Sequence, residues 1–248
     1  MSSKIAMDTI QSAEFKFSLE FPSSIQNASA VLISGPMGAG KSTIAEAVRG
    51  VTGGICFSLD EFFLDAPAIE VEYLPDIGWH RLWDSPTAYD WELFESCLRE
   101  LLTKGNTIVP QYSFDVNRRV GESQMFLPQG SQIIVDGVYG FRASSVLDVL
   151  GMSAVRVFVT AELSLRFSRV LRRDALAWRN YPEHAPKRIK ALAAADERWI
   201  LRQQSAADIV IDTSYGFPNW AVQQTKASAD GRSGGTVDGA TPSGGKDL

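Results

Sequence analysis

The sequence predicts an α/β fold of three layers, in which a mostly parallel sheet carries helices on both of its faces. Two observations support this prediction. Short apolar runs rich in β-branched residues recur along the chain, and segments with helical spacing of apolar side chains separate them. Strands that alternate with helices form βαβ units, and their strands lie parallel because each helix carries the chain back across the sheet.

Five segments have the pattern of buried parallel strands, since each is a short and almost continuous apolar run. They are SAVLISG (29–35), GICFSLD (54–60), SQIIVDGVYGF (131–141), AVRVFVTA (154–161) and DIVIDTS (208–214). Two further segments indicate extended chain. EFKFSLEF (14–21) alternates apolar and polar residues, which predicts a half-exposed strand, and TIVPQYSF (107–114) is a short extended piece.

Five segments between or after these strands predict helices, because their apolar residues return every three or four positions. They are KSTIAEAVRGV (41–51), DWELFESCLRELLTKG (90–105), SSVLDVLG (144–151), ELSLRFSRVLRRDALAW (162–178) and HAPKRIKALAAADERWILRQQSA (184–206). Gly105 closes the second of them, as glycine commonly does after the last turn of a helix.

Chain length and composition predict one folded domain with a tail. A chain of 248 residues is typical of a single α/β domain, which we place at residues 1–224. Residues 225–248 are mostly Gly, Ser, Ala, Asp and Thr. Such a segment has too little apolar surface to fold, and it is predicted to be a disordered Gly/Ser-rich tail.

Charge, cysteines and histidines exclude several classes of protein. A net charge of -5 argues against a nonspecific nucleic-acid binder. No apolar run approaches the roughly 20 residues of a membrane helix, and the first residues lack a leader-like apolar core. Cys56 and Cys97 indicate buried thiols of a reducing compartment, and the isolated His80 and His184 do not support zinc. We expect a cytoplasmic protein without membrane or nucleic-acid partners, and homo-oligomerisation stays open.

The segment GPMGAGKS, which follows the first predicted strand, fits the pattern G-x-x-x-x-G-K-[ST]. Its glycines let the backbone turn N–H groups towards phosphate oxygens at the start of a helix. The lysine reaches the β- and γ-phosphates, and the serine hydroxyl binds Mg²⁺. The fold is therefore predicted to be that of a P-loop NTPase. The predicted nucleotide-binding residues are Gly35, Pro36, Met37, Gly38, Ala39, Gly40, Lys41, Ser42 and Thr43.

Two aspartates follow predicted strands, at the edge of the sheet where doubly wound folds bind ligands. Asp60 is a candidate base for an attacking hydroxyl or a neighbour of the metal, and its alternative role is to cap the turn EFF. Asp136 ends the apolar run IIVD and is a candidate Mg²⁺ ligand, with a simple Asp-Gly turn as the alternative. The predicted metal site therefore comprises Ser42, Asp60 and Asp136.

The fourth predicted helix carries four arginines in RFSRVLRRD. Helical spacing places Arg166, Arg169 and Arg173 on one face. Phosphoryl transfer needs guanidinium groups over the developing charge, so Arg173 is assigned a catalytic role beside Lys41, and Arg169 and Arg172 are assigned to a lid. A solvated basic face is the alternative.

The order of six motifs resembles that of the uridine kinase and phosphoribulokinase family between residues 31 and 212. They are GPMGAGKST, SLDEFF, LWDSPTAYDW, PQYSFDVNRR, IIVDGVYGF and VFVTAELSLRFSRVLRRD. The resemblance implies an ATP- and Mg²⁺-dependent kinase for a small-molecule acceptor, with a nucleoside 5′-hydroxyl as the leading candidate.

The resemblance also implies roles for individual residues. Asp60 matches the general base of the family, and Asp84 matches an acid that binds the ribose hydroxyls. Tyr112 matches an aromatic residue beside the base, Arg119 a basic residue after that segment, and Arg173 a lid arginine. The alternatives are an Asp-Ser-Pro turn for Asp84 and core packing for Tyr112.

Three positions depart from the family pattern. Ser113 replaces an aspartate, Asn117 stands in the substrate segment where uridine kinases carry a histidine, and Asp136 is shorter than the usual glutamate. Two other functions therefore stay open. One is a kinase for another alcohol, such as a sugar, a glycerate-like acid or pantothenate. The other is a nucleotide-binding regulatory module without an acceptor, although the chain lacks the Asn-Lys-x-Asp motif of GTPase switches.

Overall fold

The computed structural model describes residues 21–176, 185–215 and 221–224. The strands in these ranges are β1 (Ala30–Ser34), β2 (Ile55–Ser58), β3 (Val71–Leu74), β4 (Gly78–Arg81), β5 (Asn106–Ser113), β6 (Arg118–Phe126), β7 (Ile133–Asp136), β8 (Ala154–Thr160), β9 (Ile209–Asp212) and β10 (Ala221–Gln224). The α-helices in the same ranges are α1 (Ser23–Asn27), α2 (Lys41–Thr52), α3 (Trp91–Lys104), α4 (Ser144–Val149), α5 (Leu163–Leu176) and α6 (Ala185–Ala195).

Six strands form the central sheet in the order β10-β9-β8-β1-β7-β2. Five of them are parallel, and β10 is antiparallel to β9. The parallel register sets Ile33 and Ser58 opposite Asp136, on either side of it. The carboxyl ends of β1, β2 and β7 therefore meet at one edge of the sheet, and the predicted α/β fold is confirmed.

Alternate residues of β1 face different cores, which defines the three layers. Val31 and Ile33 pack in one apolar cluster with Ile44 and Val48 of α2. Leu32 packs in a second cluster, with the buried apolar residues of α3 and α4 on the opposite face of the sheet. All five residues of β1 are buried because both faces of the sheet are covered.

Two hairpins lie outside the central sheet. β3 pairs with β4, and β5 pairs with β6 through a turn that contains Asn117. The sequence predicted only a short extended piece at 107–114. β3, β4, β6 and β10 were not predicted.

The predicted helix over 184–206 is divided. α6 ends at Ala195, a π-helical turn covers Asp196–Ile200, and a 3-10 helix covers Leu201–Ala206. Phe21 is buried in the core beside α2, and the rest of the strand predicted at 14–21 lies outside the described residues. The tail predicted at 225–248 also lies outside them, so the domain boundary stays a prediction. No helix in the described ranges has the length and apolarity needed to cross a membrane.

Gly35→Ala is expected to destabilise the fold. Gly35 has φ of +146°, and a Cβ at this position would lie 2.1 Å from the backbone oxygen of Val159. Because that oxygen belongs to a strand of the sheet, we expect a loss of about 1–3 kcal/mol in the free energy of unfolding, measured in urea. Gly50→Ala in α2 is the control, since a Cβ there meets no atom within 4 Å. Equal stability of the two variants would contradict the predicted clash between a Cβ at residue 35 and the backbone oxygen of Val159.

Candidate active site

The segment from Gly35 to Thr43, here the phosphate-binding loop, joins β1 to α2. Gly40 caps the helix in a left-handed conformation, with φ of 93°. The first hydrogen bond of the helix runs from the N–H of Ile44 to the oxygen of Gly40, at 3.0 Å. The N–H groups of the first helical residues therefore stay available at the positive end of the helix, where an anion binds.

The carbonyl groups of this loop are held by side chains. Residues 36 to 39 accept hydrogen bonds from Lys41 Nζ (3.2 Å), Arg166 Nη1 (3.3 Å), Arg169 Nη1 (3.2 Å) and Thr213 Oγ1 (2.8 Å), in that order. With its carbonyl oxygens bonded to these side chains, the loop can direct its N–H groups towards a phosphate.

Lys41 lies among carboxylates at the carboxyl end of the sheet. Burial lowers the pKa of Lys41, and the negative charges of Asp136 and Asp60 oppose that shift. Burial raises the pKa of Asp136, while Lys41 and a hydrogen bond from Ser42 lower it. The ammonium group therefore interacts electrostatically with both acids that the sequence singled out.

Asp60 lies in a 3-10 turn, Leu59–Phe62, directly after β2. Ser58 caps this turn by accepting a hydrogen bond from the N–H of Asp60 at 3.2 Å, so the Asp60 carboxylate is not the cap. Asp60 is exposed to solvent and lines a cleft, whose walls partly desolvate its carboxylate. This enclosure raises the pKa of Asp60 to about 6, and Lys41 partly offsets the effect.

The residues present fit a magnesium ion at Asp136. Its Oδ1 is buried and has no hydrogen-bond partner within the described chain, and the side chain of Ser42 lowers the pKa of its carboxyl group. In the same described ranges, no three His, Cys, Asp or Glu side chains converge as a metal cluster. Mg²⁺ commonly takes one or two protein oxygens and completes its shell with phosphate and water, so this sparse donor set suits it.

A cavity of about 380 Å³ opens beside the loop. Its lining combines acids, bases and aromatic rings, namely Met37, Asp60, Phe63, His80, Trp83, Asp84, Phe114, Asn117, Arg173, Asp174, Lys187 and Arg188. The size and the mixed lining are typical of small-molecule sites. Because Met37 and Asp60 are part of this wall, the cavity adjoins the phosphate-binding loop.

Asp84 is fixed at two points in the wall of this cavity. Its side chain is 4% exposed, and its Oδ2 accepts a hydrogen bond from Arg188 Nη1 at 3.1 Å. Its backbone oxygen accepts a hydrogen bond from the hydroxyl of Tyr139 at 2.6 Å. The carboxylate predicted to bind acceptor hydroxyls thus lines the cavity in a defined orientation.

The other predicted substrate residues differ in position. Asn117 lines the cavity from the turn between β5 and β6. Tyr112 packs against Phe63 and Phe114, which line the cavity, and burial raises its pKa to about 12. Arg119 donates to Asp90 from both terminal nitrogens, at 3.1 Å each. The contacts of Tyr112 and Arg119 with an acceptor stay predictions.

The arginines of α5 have separate partners. Arg166 pairs with Asp196 at 2.7 Å, and each side chain is 4% exposed. Arg169 also donates to both oxygens of Thr213, which fixes it against the loop. Arg173 contacts Met37 Sδ at 3.3 Å and lines the cavity.

Arg173 is half exposed, and its positive charge lowers the pKa values of Lys41 and Asp60. Arg172 is exposed on the same helix. The lid role of Arg169 and Arg172 stays a prediction.

Several cavity residues were not among the sequence-based candidates. They are Phe63, His80, Trp83, Phe114, Asp174, Lys187 and Arg188. Trp83 and Phe114 stand next to predicted motif residues, so their position in the motifs was an available signal. His80 belongs to the β3–β4 hairpin, and Arg188 belongs to α6. No local sequence pattern indicates that these two elements pack beside the cavity.

The phosphate-binding loop, the acids that interact with Lys41 and the adjoining cavity are features of a nucleotide-binding α/β protein. The model of the phosphoribulokinase / uridine kinase family matches residues 31–215. The chain belongs to that family of kinases.

Individual relatives agree with this assignment. A uridine kinase of Deinococcus deserti is 27% identical over 154 residues, which cover 61% of this chain and 70% of that protein. A uridine kinase of Chlamydia pneumoniae is 27% identical over 191 residues, which cover 74% of this chain and 81% of that protein. The solved phosphoribulokinase from Rhodobacter spheroides has a TM-score of 0.51 at 15% identity, over 74% of this chain and 69% of its own. At that identity it supports the fold alone.

Proposed function

We propose that the protein transfers the γ-phosphate of ATP to a hydroxyl of an acceptor held in the cavity, and that a nucleoside 5′-hydroxyl is the leading acceptor. One observation carries the proposal. Asp60 lines the cavity, and its carboxylate also interacts electrostatically with Lys41 of the phosphate-binding loop. A base for phosphoryl transfer must lie between the acceptor and the phosphate of the nucleotide. A carboxylate that lines the cavity and interacts with the phosphate-binding loop meets this requirement.

In the proposed step, the acceptor oxygen attacks the terminal phosphorus. A new O–P bond forms, the bond from phosphorus to the β,γ-bridging oxygen breaks, and Asp60 takes the hydroxyl proton. Lys41 and the N–H groups of the loop stabilise the charge on the phosphate oxygens. We propose that Ser42 and Asp136 hold Mg²⁺, which neutralises phosphate charge when bound.

The lining of the cavity supports a nucleoside. Asp84 offers a carboxylate to vicinal hydroxyls, and the rings of Phe63, Trp83 and Phe114 offer flat faces for a base. A second candidate is an acceptor with a negative charge, such as a glycerate-like acid, because Lys187 and Arg188 also line the cavity. In both cases the reaction is the same and only the acceptor differs.

The experiment is ADP release from Mg-ATP in the presence of nucleosides, sugars, pantothenate and small hydroxy acids. We expect uridine or a related nucleoside to raise the rate of ADP release above the rate without an acceptor. Strongest stimulation by an acid would support the second candidate. ATP hydrolysis unaffected by every alcohol would contradict a kinase with a small-molecule acceptor and favour a regulatory module.

The acceptor kcat/KM is expected to fall below about pH 6. Asp60 must be ionised to take a proton, and its pKa is raised to about 6 by its enclosure. Protonation below that pH removes the base, so the rate should fall about tenfold per pH unit. Steady-state rates between pH 5 and 8 measure this decrease in kcat/KM. Circular dichroism at each pH confirms that the protein stays folded. A profile that stays flat to pH 5 would contradict the role of Asp60.

A further inference from the structure

Arg188 of α6 contacts three separate parts of the site with one guanidinium group. Its Nη1 donates to Asp84 Oδ2 at 3.1 Å, and its Nε lies 3.8 Å from Asp174 Oδ2 on α5. Its Nη2 contacts Met37 Sδ of the phosphate-binding loop at 3.2 Å. The side chain is 16% exposed. It therefore joins the acceptor cavity, α5 and the loop.

The orientation of Asp84 depends on this contact. The Tyr139 hydroxyl holds the backbone of Asp84, and within the described residues its carboxylate is paired with Arg188. A nearly buried carboxylate without a counter-charge is costly, and it lowers that cost by protonation or by turning towards solvent. Loss of Arg188 should therefore change the charge or the direction of Asp84.

We propose that Arg188 is a positioning residue for the acceptor. It holds one oxygen of Asp84 so that the other is left for the acceptor hydroxyls, and its contact with Met37 connects that half of the site to the loop. The inference rests on the proposed function, in which the cavity holds the acceptor. Lysine cannot replace arginine fully, because a single ammonium group lacks the planar fork that reaches several partners at once.

The test measures acceptor KM and kcat with Mg-ATP and uridine, or with the acceptor that gives the largest response in the ADP-release panel. We expect Arg188→Gln to raise the acceptor KM about 10- to 100-fold while kcat changes less than about threefold. Arg188→Lys should recover part of the loss. Lys190→Gln is the matched control, since it removes one positive charge from an exposed position of the same helix and should leave KM unchanged.

A double-mutant cycle separates positioning from a general structural effect. If Arg188 acts through Asp84, Arg188→Gln should raise KM less than about threefold further in the Asp84→Asn background. An equal effect in both backgrounds would overturn the inference, as would a loss confined to kcat. If Arg188→Gln does not fold, two other variants are compared with the wild type. They are the double variant, which lacks both charges, and Arg188→Lys.

The outcomes also distinguish this inference from the proposed function. If the wild-type protein releases no additional ADP with any acceptor in the panel, the proposed function fails and this inference fails with it. If the wild-type protein responds to an acceptor and the Arg188 variants behave like Lys190→Gln, only the inference is overturned.

Discussion

Asp60→Asn is expected to lower kcat by about 10²- to 10⁴-fold and to leave Mg-ATP binding in place. Asparagine is nearly the same size as aspartate but cannot take a proton from the attacking hydroxyl. The cap of the turn is unaffected, because Ser58 and the backbone N–H of residue 60 provide it. Turnover is measured by ADP release, and ATP binding by titration calorimetry.

Stability separates a lost base from a damaged fold in this variant. A pKa raised above the unfolded value means that the ionised carboxylate is less favourable in the folded protein than in the unfolded chain. The penalty grows as the pH rises towards about 6 and stays constant above it. At pH 7.5 the neutral asparagine removes this penalty, so the melting temperature should not fall below that of the wild type.

Asp148→Asn provides the matched control, since Asp148 is an exposed carboxylate on α4, outside the lining of the cavity. It should keep wild-type turnover. Retention of full activity by Asp60→Asn would remove Asp60 from the role of base, and the proposed step would need another proton acceptor.

Local sequence patterns were sufficient to predict the parallel sheet and the phosphate-binding loop. β1, β7 and β9 are almost fully buried, so each one appears in the sequence as a short apolar run, whereas β8 includes Arg156 and the edge strand β2 is only partly buried. The loop follows from glycine spacing and one lysine, all within nine residues. The position of Asp136 at the end of an apolar run was also predicted, and the structure pairs that strand with β1; its role as a Mg²⁺ ligand stays a prediction.

The acceptor side of the site depends on contacts between distant parts of the chain. Arg188 and Asp84 are separated by 104 residues, and no periodicity relates a residue of α6 to one after β4. The β3–β4 hairpin that carries His80 is short, and its strands lack continuous apolar runs. The turn PDIG between these strands was an available signal for the hairpin.

The arginines of α5 illustrate the limit of helical spacing. The spacing put Arg166, Arg169 and Arg173 on one face, and all three contact the loop in the structure. The spacing did not indicate which of these arginines would be fixed by contacts with other parts of the chain. Arg166 is paired with Asp196, and Arg169 is bonded to Thr213 after β9, so later parts of the chain determine both positions.

Lys41→Met is expected to lower kcat/KM for ATP about 10²- to 10³-fold, because the ammonium group stabilises phosphate charge that grows in the transition state. The same change should make stability more dependent on pH. Asp136 and Asp60 lose a nearby positive charge that holds their pKa values down, so both values rise. Ionising these acids then costs the folded protein more, and the cost appears as the pH rises. Relative to the wild type, the melting temperature of the variant should therefore fall between pH 5 and pH 8.

Lys104→Met controls for the loss of a lysine, because Lys104 is exposed on α3 and pairs only at the surface with Glu100, at 2.7 Å. Surface pairs of this kind contribute little to stability, so this variant should keep the wild-type activity and pH dependence. Two measurements, ATP turnover and melting temperature against pH, then test the same ammonium group by independent physical effects. Wild-type turnover in Lys41→Met would show that the loop does not hold the transferred phosphate. An unchanged pH dependence with lost turnover would instead contradict the coupling of Lys41 to the two acids.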